Sequence, residues 1–179
     1  MSRVATPYEG SGRRSWDPAT PVPAPLRLHE ATVVPDWVDY NGHMSESCFL
    51  LVFGDSADAF FRFIGIDEDY RAAGHSLFTV QTHLHHRHEA DEGDPLALTL
   101  QVLDHDDKRV HLFHEMRHGE SGTLLAAAEQ MLVHVDTQAG RSSPMPADLL
   151  DHVRAVREAH AVLPVSDLVG RPLAIRHRR

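Results

Sequence analysis

Residues 34–46, VPDWVDYNGHMSE, set a carboxylate, Asp39, just ahead of a long segment with a helical apolar period. Pro35 ends the preceding apolar run by removing a backbone donor. Asp39, Asn41 and Gly42 then supply turn chemistry. Ser45 is the expected N-cap, its hydroxyl accepting one of the orphan N–H groups of the first helical turn. Such N–H groups favour a developing oxyanion, and a carboxylate beside them can attack a carbonyl or activate water. The pattern has the makings of an acyl-transfer site. Two plainer readings stand beside it: Asp39 as an Asx-turn residue bonding its own backbone, and His43 as a donor that orients the turn rather than a general base.

Behind the turn, Phe49, Val52, Phe53, Ser56, Ala57, Phe60, Phe61 and Ile64 recur at three- and four-residue steps, which predicts a helix over 45–64 with Gly65 as its C-terminal cap. A short strand is expected over 26–34, a polar cover segment over 67–74, and four more strands over 76–88, 95–104, 109–118 and 123–136. Glu92-Gly93-Asp94, the run 104–107 and the run 119–122 mark the turns between them. Short turns between consecutive strands imply an antiparallel meander. The helix is too apolar to stand free, so the sheet must wrap it. The fold class is α+β, a curved antiparallel sheet around one long helix. Residues 147–161 read as a surface helix, followed by a tail ending in the basic run 176–179. Residues 1–25, with five prolines, read as a disordered or loosely packed extension, leaving 26–145 as the folded domain.

A chain of 179 residues with 42% hydrophobic and 24% charged residues is long enough for one globular domain with a sizeable core. A formal charge of −9 argues against a nucleic-acid surface. No apolar run approaches a membrane span, and residues 1–25 hold no apolar signal core. The cytoplasm is the expected compartment, and the single cysteine, Cys48, reads as a small buried side chain.

The 15 histidines raise the question of a metal. His83 and His85 share one face of a strand while His86 and His88 share the other, so the group points two ways and cannot chelate one ion. No metal or cofactor is expected. Glu129 interrupts an otherwise apolar strand, where a carboxylate must be paired. A salt bridge to a neighbouring Arg, within the chain or across a subunit boundary, is one solution. Trp37, Tyr40, Phe53 and Phe78 read first as core aromatics, and Lys108 with Arg109 as a solvated basic turn.

The motif Asp39-x-x-Gly42-His43-Met44, entered from a strand and leading into the helix, resembles the hotdog-fold acyl-CoA thioesterases of the 4-hydroxybenzoyl-CoA thioesterase type, over about 26–145. WVDYNGHM at 37–44, Phe53 with Asp55, Ser76-Leu77-Phe78-Thr79, Arg87, Glu89, Asp107-Lys108-Arg109 and Glu129-Gln130 are similar to the betainyl-CoA thioesterases of carnitine breakdown. Ser45 stands where the family usually carries Asn, and His85-His86 where that branch more often has an aromatic residue. The resemblance implies Asp39 as the catalytic carboxylate, with backbone N–H groups of the stretch Gly42, His43, Ser45 and Glu46 holding the thioester oxygen. It implies an acyl-CoA substrate and a homodimer or higher homo-oligomer with sites at the interface. For a betainyl group, Trp37, Tyr40, Phe53 and Phe78 would offer aromatic faces and Glu129 a counter-charge, while Lys108 and Arg109 would grip coenzyme A phosphates. The rivals are a thioesterase for aromatic or medium-chain acyl groups and a hotdog protein that binds acyl-CoA without turning it over.

Overall fold

The computed structural model describes residues 6–10, 17 and 19–175. Its centre is helix α1 (Glu46–Ile64), lying in the concave face of a six-stranded antiparallel sheet. The strands are β1 (Glu30–Thr32), β2 (His75–His86), β3 (Pro95–His105), β4 (Arg109–His118), β5 (Leu124–Asp136) and β6 (Arg141–Ser142). A five-residue helix α2 (Glu68–Ala72) follows α1, and α3 (Ala147–His160) follows the sheet. This is the hotdog arrangement, and strand alternation produces it. Along β3, Leu96, Leu98, Leu100 and Val102 are buried toward the helix, while Ala97, Thr99, Gln101 and Leu103 face outward and are half-buried. On α1 the answering stripe includes Phe49, Val52, Phe53, Ala57, Phe60 and Ile64. Gly65 ends the helix at φ 105°, a left-handed conformation that glycine adopts without a Cβ clash.

The sheet order is β1-β3-β4-β5-β2, with β6 appended to β5. The expected four-strand meander therefore holds only for β3-β4-β5. β2 pairs with β5, from His75 opposite Asp136 to His86 opposite Ala126, and forms one edge of the sheet. The link 87–94 must cross about 14 Å, three strand spacings, which eight residues reach readily. The strand expected over 26–34 is reduced to the three residues of β1 and a single bridge from Leu26 to Leu100. Helix α3 is more than a surface element, because its Leu149, Val153 and Val156 are buried in the core beside Ile64 and Leu100.

The expected loose extension departs further. Arg62 of α1 is 2% exposed, and a guanidinium cannot stay buried without acceptors. It donates to Ile66 O at 2.7 Å, to Glu68 Oε1 at 2.6 Å and to Tyr8 O at 3.2 Å. Tyr8 in turn donates its hydroxyl to Leu28 O at 3.0 Å. Residues 6–10 are thus tied to the domain, whereas 1–5, 11–16 and 18 lie outside the described residues, as does the basic run 176–179. The core also holds a polar row, in which Ser56 Oγ lies 3.3 Å from His114 Nδ1 and Gln130 donates to Thr82 Oγ1 at 3.4 Å. Burial pushes His114 down to about 4. Among the described residues no helix is long and apolar enough to cross a membrane.

Candidate active site

The turn before α1 is a tight hairpin. Val38 and Met44 form a bridge, Asp39 N donates to His43 O at 3.0 Å, and Ser45 N donates to Trp37 O at 2.8 Å. Gly42 closes it at φ 85°, and its N–H reaches Asp39 O at 2.9 Å. The hairpin is moored by Met44 N donating to Ala90 O at 2.8 Å and by the His43 ring N–H on Asp91 Oδ1 at 2.7 Å. That hydrogen bond raises the His43 pKa from its ordinary value. These bonds hold Asp39 one hairpin away from the start of the helix. Its Oδ1 accepts the Asn41 N–H at 2.7 Å, so the Asx turn is real. Its second oxygen has no hydrogen-bond partner among the described residues.

Ser45 occupies the N-cap with extended backbone, φ −60° and ψ 143°, but its hydroxyl caps nothing. It lies 3.3 Å from Ser47 Oγ instead. The expected side-chain cap is therefore missing, and the backbone N–H groups at Glu46 and Ser47 are left without it. Beside them lies a cavity of about 270 Å³ lined by Met44, Glu46, Phe49, Glu89 and the run His86-Arg87-His88. Uncapped helical N–H groups and an open cavity meet at this corner, and Asp39 stands on the hairpin that leads into it.

The remaining predicted residues do not converge here. Trp37 is half-buried against the cluster containing Phe49 and Phe53. Phe53 is 0% exposed and meets His114 edge to face at 5.8 Å, so neither of its faces is open. Tyr40 stands at the hairpin tip, 96% exposed. Phe78 lies on the outer side of β2, eight residues from His86, which is about 26 Å along a strand. An aromatic cage is thus not assembled within one protomer. Lys108 and Arg109 sit at the opposite end of the sheet, where β4 begins beside the C-terminal half of α1. Arg109 is taken by Asp106, with Nη2 to Oδ2 at 2.6 Å, and that pairing pulls Asp106 down to about 2.

Glu129 is a clear correction. It projects from the outer face of β5, away from α1, because its register partners His83 and Phe113 face outward. Its Oε1 accepts from His111 Nε2 at 2.8 Å, and its Oε2 accepts the Gly170 N–H at 2.8 Å. Its partners within the chain are a histidine and a strap of C-terminal backbone rather than an arginine. His83 and His85 face outward while His86 faces α1, meeting Phe49 edge to face at 5.0 Å. Among the described residues no group of three His, Cys, Asp or Glu is placed to share a metal ion. In the sequence Arg87 and Glu89 stand out only through the resemblance, and nothing there marks Phe49 and His86 as lining residues. The signal for Arg87 was an arginine at the end of an edge strand.

Known proteins resemble this chain in sequence and in fold. A Pseudomonas aeruginosa protein named betainyl-CoA thioesterase is 44% identical over 151 residues, covering 84% of this chain and 95% of that protein. A Rhizobium meliloti protein named L-carnitine dehydrogenase/betainyl-CoA thioesterase is 45% identical over 162 residues. The match takes in 90% of this chain but only 32% of the Rhizobium protein, so the chain spans about a third of that relative's length. A hypothetical protein from Staphylococcus aureus, solved in complex with CoA, superposes with a TM-score of 0.80 at 25% identity, covering 88% of this chain and 100% of that one. The model of the thioesterase-like superfamily matches residues 33–153, and the chain belongs to that superfamily.

Proposed function

We propose that this chain hydrolyses betainyl-CoA to betaine and coenzyme A. One observation carries the chemistry: Asp39, with one carboxylate oxygen unbonded among the described residues, is fixed on a short hairpin that leads into an uncapped helix start. The acyl group is supported by the names of the relatives, above all the Pseudomonas protein that the chain covers almost end to end.

Asp39 attacks the thioester carbonyl carbon, the C–S bond breaks and the thiolate departs, leaving an acyl–carboxylate anhydride that water cleaves. Equally, Asp39 takes a proton from a water molecule as that water attacks. Both routes place negative charge on the carbonyl oxygen, where the N–H groups at the start of α1 stabilise it. For a trimethylammonium acyl group, the cavity offers the carboxylates of Glu46 and Glu89.

The working unit is a dimer. β2 is an unpaired edge carrying Phe78, 53% exposed, and Val80, 60% exposed, and such an edge invites a second copy. Two β2 strands pairing about a two-fold axis run antiparallel, which swings the second copy's Phe78 toward the helix start. Sedimentation showing a stable 20.0 kDa monomer at micromolar concentration would contradict this assembly.

Thiol release across a panel of acyl-CoA substrates tests the function. Betainyl-CoA should give a kcat/KM at least about tenfold above that of a neutral branched isostere, the scale of one desolvated cation–π contact or charge pair. Preference for the neutral isostere, or for aromatic acyl groups, would reassign the substrate.

A further inference from the structure

After α3 the chain turns onto the outer face of the sheet and crosses it strand by strand. Residues 163–167 lie over Thr99 and Gln101 of β3 and Phe113 and Glu115 of β4. Leu168 is buried against Phe113 and Ala127, and Gly170 is held by Glu129. The strap thereby delivers Arg171 to β2. Between strap and strand lies a cavity of about 660 Å³, whose lining includes His83, His85, Arg87, Arg171 and Leu173 and no carboxylate. Neither arginine forms an ion pair among the described residues, a state they share with Arg27, Arg141 and Arg157 and not with Arg62, Arg71, Arg109, Arg117 and Arg154. His85 adds a buried Nε2 without a hydrogen-bond partner among the described residues. Two unpaired guanidinium groups in a chain of net charge −9 are a local departure from its overall charge, and planar donor forks suit phosphate oxygens. Arg87 also lines the cavity at the start of α1, so the two cavities share a wall.

The geometry points to the strap cavity as the seat of the phosphorylated, nucleotide end of coenzyme A, gripped by Arg87 and Arg171. The thioester then reaches past Arg87 to Asp39. This rests on the acyl-CoA reading above and replaces the expected grip by Lys108 and Arg109, of which Arg109 is already paired. It also gives Glu129 a purpose: by latching Gly170 it sets Arg171, the next residue, in place.

Calorimetric titration of the full chain with CoA and with pantetheine, which lacks the nucleotide and its phosphates, tests the assignment without requiring turnover. R87A/R171A should weaken CoA binding about tenfold or more, the scale of lost charge-assisted contacts. R87K/R171K, which keeps the charges, should recover part of that loss. Pantetheine should bind both variants as it binds the parent chain. Unchanged CoA affinity in R87A/R171A, equal losses for CoA and pantetheine, or displacement of CoA by inorganic phosphate at equal concentration would each overturn the assignment. A chain that binds CoA through these arginines yet releases thiol from no acyl-CoA would sink the hydrolase reading and leave this one standing.

Discussion

Asp39 and Glu129 are two carboxylates in opposite circumstances. Glu129 looks exceptional in sequence, a charge inside a run of alanines and aliphatics, yet in the fold both of its oxygens are occupied, one by His111 and one by Gly170. Asp39 looks ordinary, an aspartate in a turn, yet one of its oxygens has no partner among the described residues and the helix its hairpin leads into is uncapped. The contrast separates two uses of a carboxylate. One whose acceptors are saturated fastens backbone; one left with a free oxygen next to polarised N–H groups can react. Rarity of context in the sequence pointed at the fastening residue.

The largest effect that could break this contrast is on turnover. Asp39→Asn keeps the shape of the hairpin and the acceptor for Asn41 but removes the base and nucleophile. kcat should fall by about 10²-fold or more, the scale of lost acid–base catalysis, with CoA affinity kept. Thiol release and calorimetry on one preparation read both quantities, and turnover within about threefold of the parent would remove Asp39 from the chemistry.

A smaller effect is expected at the other carboxylate. Glu129→Gln keeps an acceptor for Gly170 but not the charge facing His111. A loss of about 1 kcal/mol, typical of one weakened hydrogen bond, lowers the melting temperature of a chain this size by about 2–4 °C. An unchanged melting temperature would mean that the latch does not hold the strap.

The smallest concerns a third carboxylate, Asp55 on α1, which burial first and Asp58 second push up from the ordinary 3.8 to about 6. The fold thus favours the protonated acid. Below pH 4 the folded and unfolded chains both carry it protonated and the fold bears no penalty. As the pH rises from about 4 to about 6, the unfolded chain ionises first, and stability is lost. Asp55 is only half-buried, so the effect is modest. Asp55→Asn should raise the melting temperature by a few degrees, about 2–4 °C, at pH 8 and by nothing at pH 4. An equal gain at both pH values would show that charge is not the cause.

Much of the fold was legible because it is written in local periods. The stripe from Phe49 to Ile64 and the alternation in β3, β4 and β5 place those elements within a residue or two of the observed bounds. What no local pattern carries is the choice of partner. β2 has the same look whether it pairs with β3 or β5, and only the wrapped sheet decides. Likewise nothing marks Arg62, the single arginine of α1, as a side chain that turns inward and recruits Tyr8. At the site, the motif located Asp39 and the hairpin chemistry. The free hydroxyl of Ser45 and the approach of residues 86–89 to the helix start depend on contacts between segments some 40 residues apart. Within one protomer the expected aromatic cage does not assemble for a related reason, since Phe53 is consumed by the core and Phe78 lies at the far end of its strand.

The central claim is that the free carboxylate does the chemistry and the tethered one holds the scaffold. Its most direct test is steady-state hydrolysis of betainyl-CoA by Asp39→Asn and Glu129→Gln, side by side at saturating substrate. The kcat for Asp39→Asn should lie at least about 10²-fold below that for Glu129→Gln. Equal rates, or a slower Glu129→Gln enzyme with an unaltered melting temperature, would contradict it.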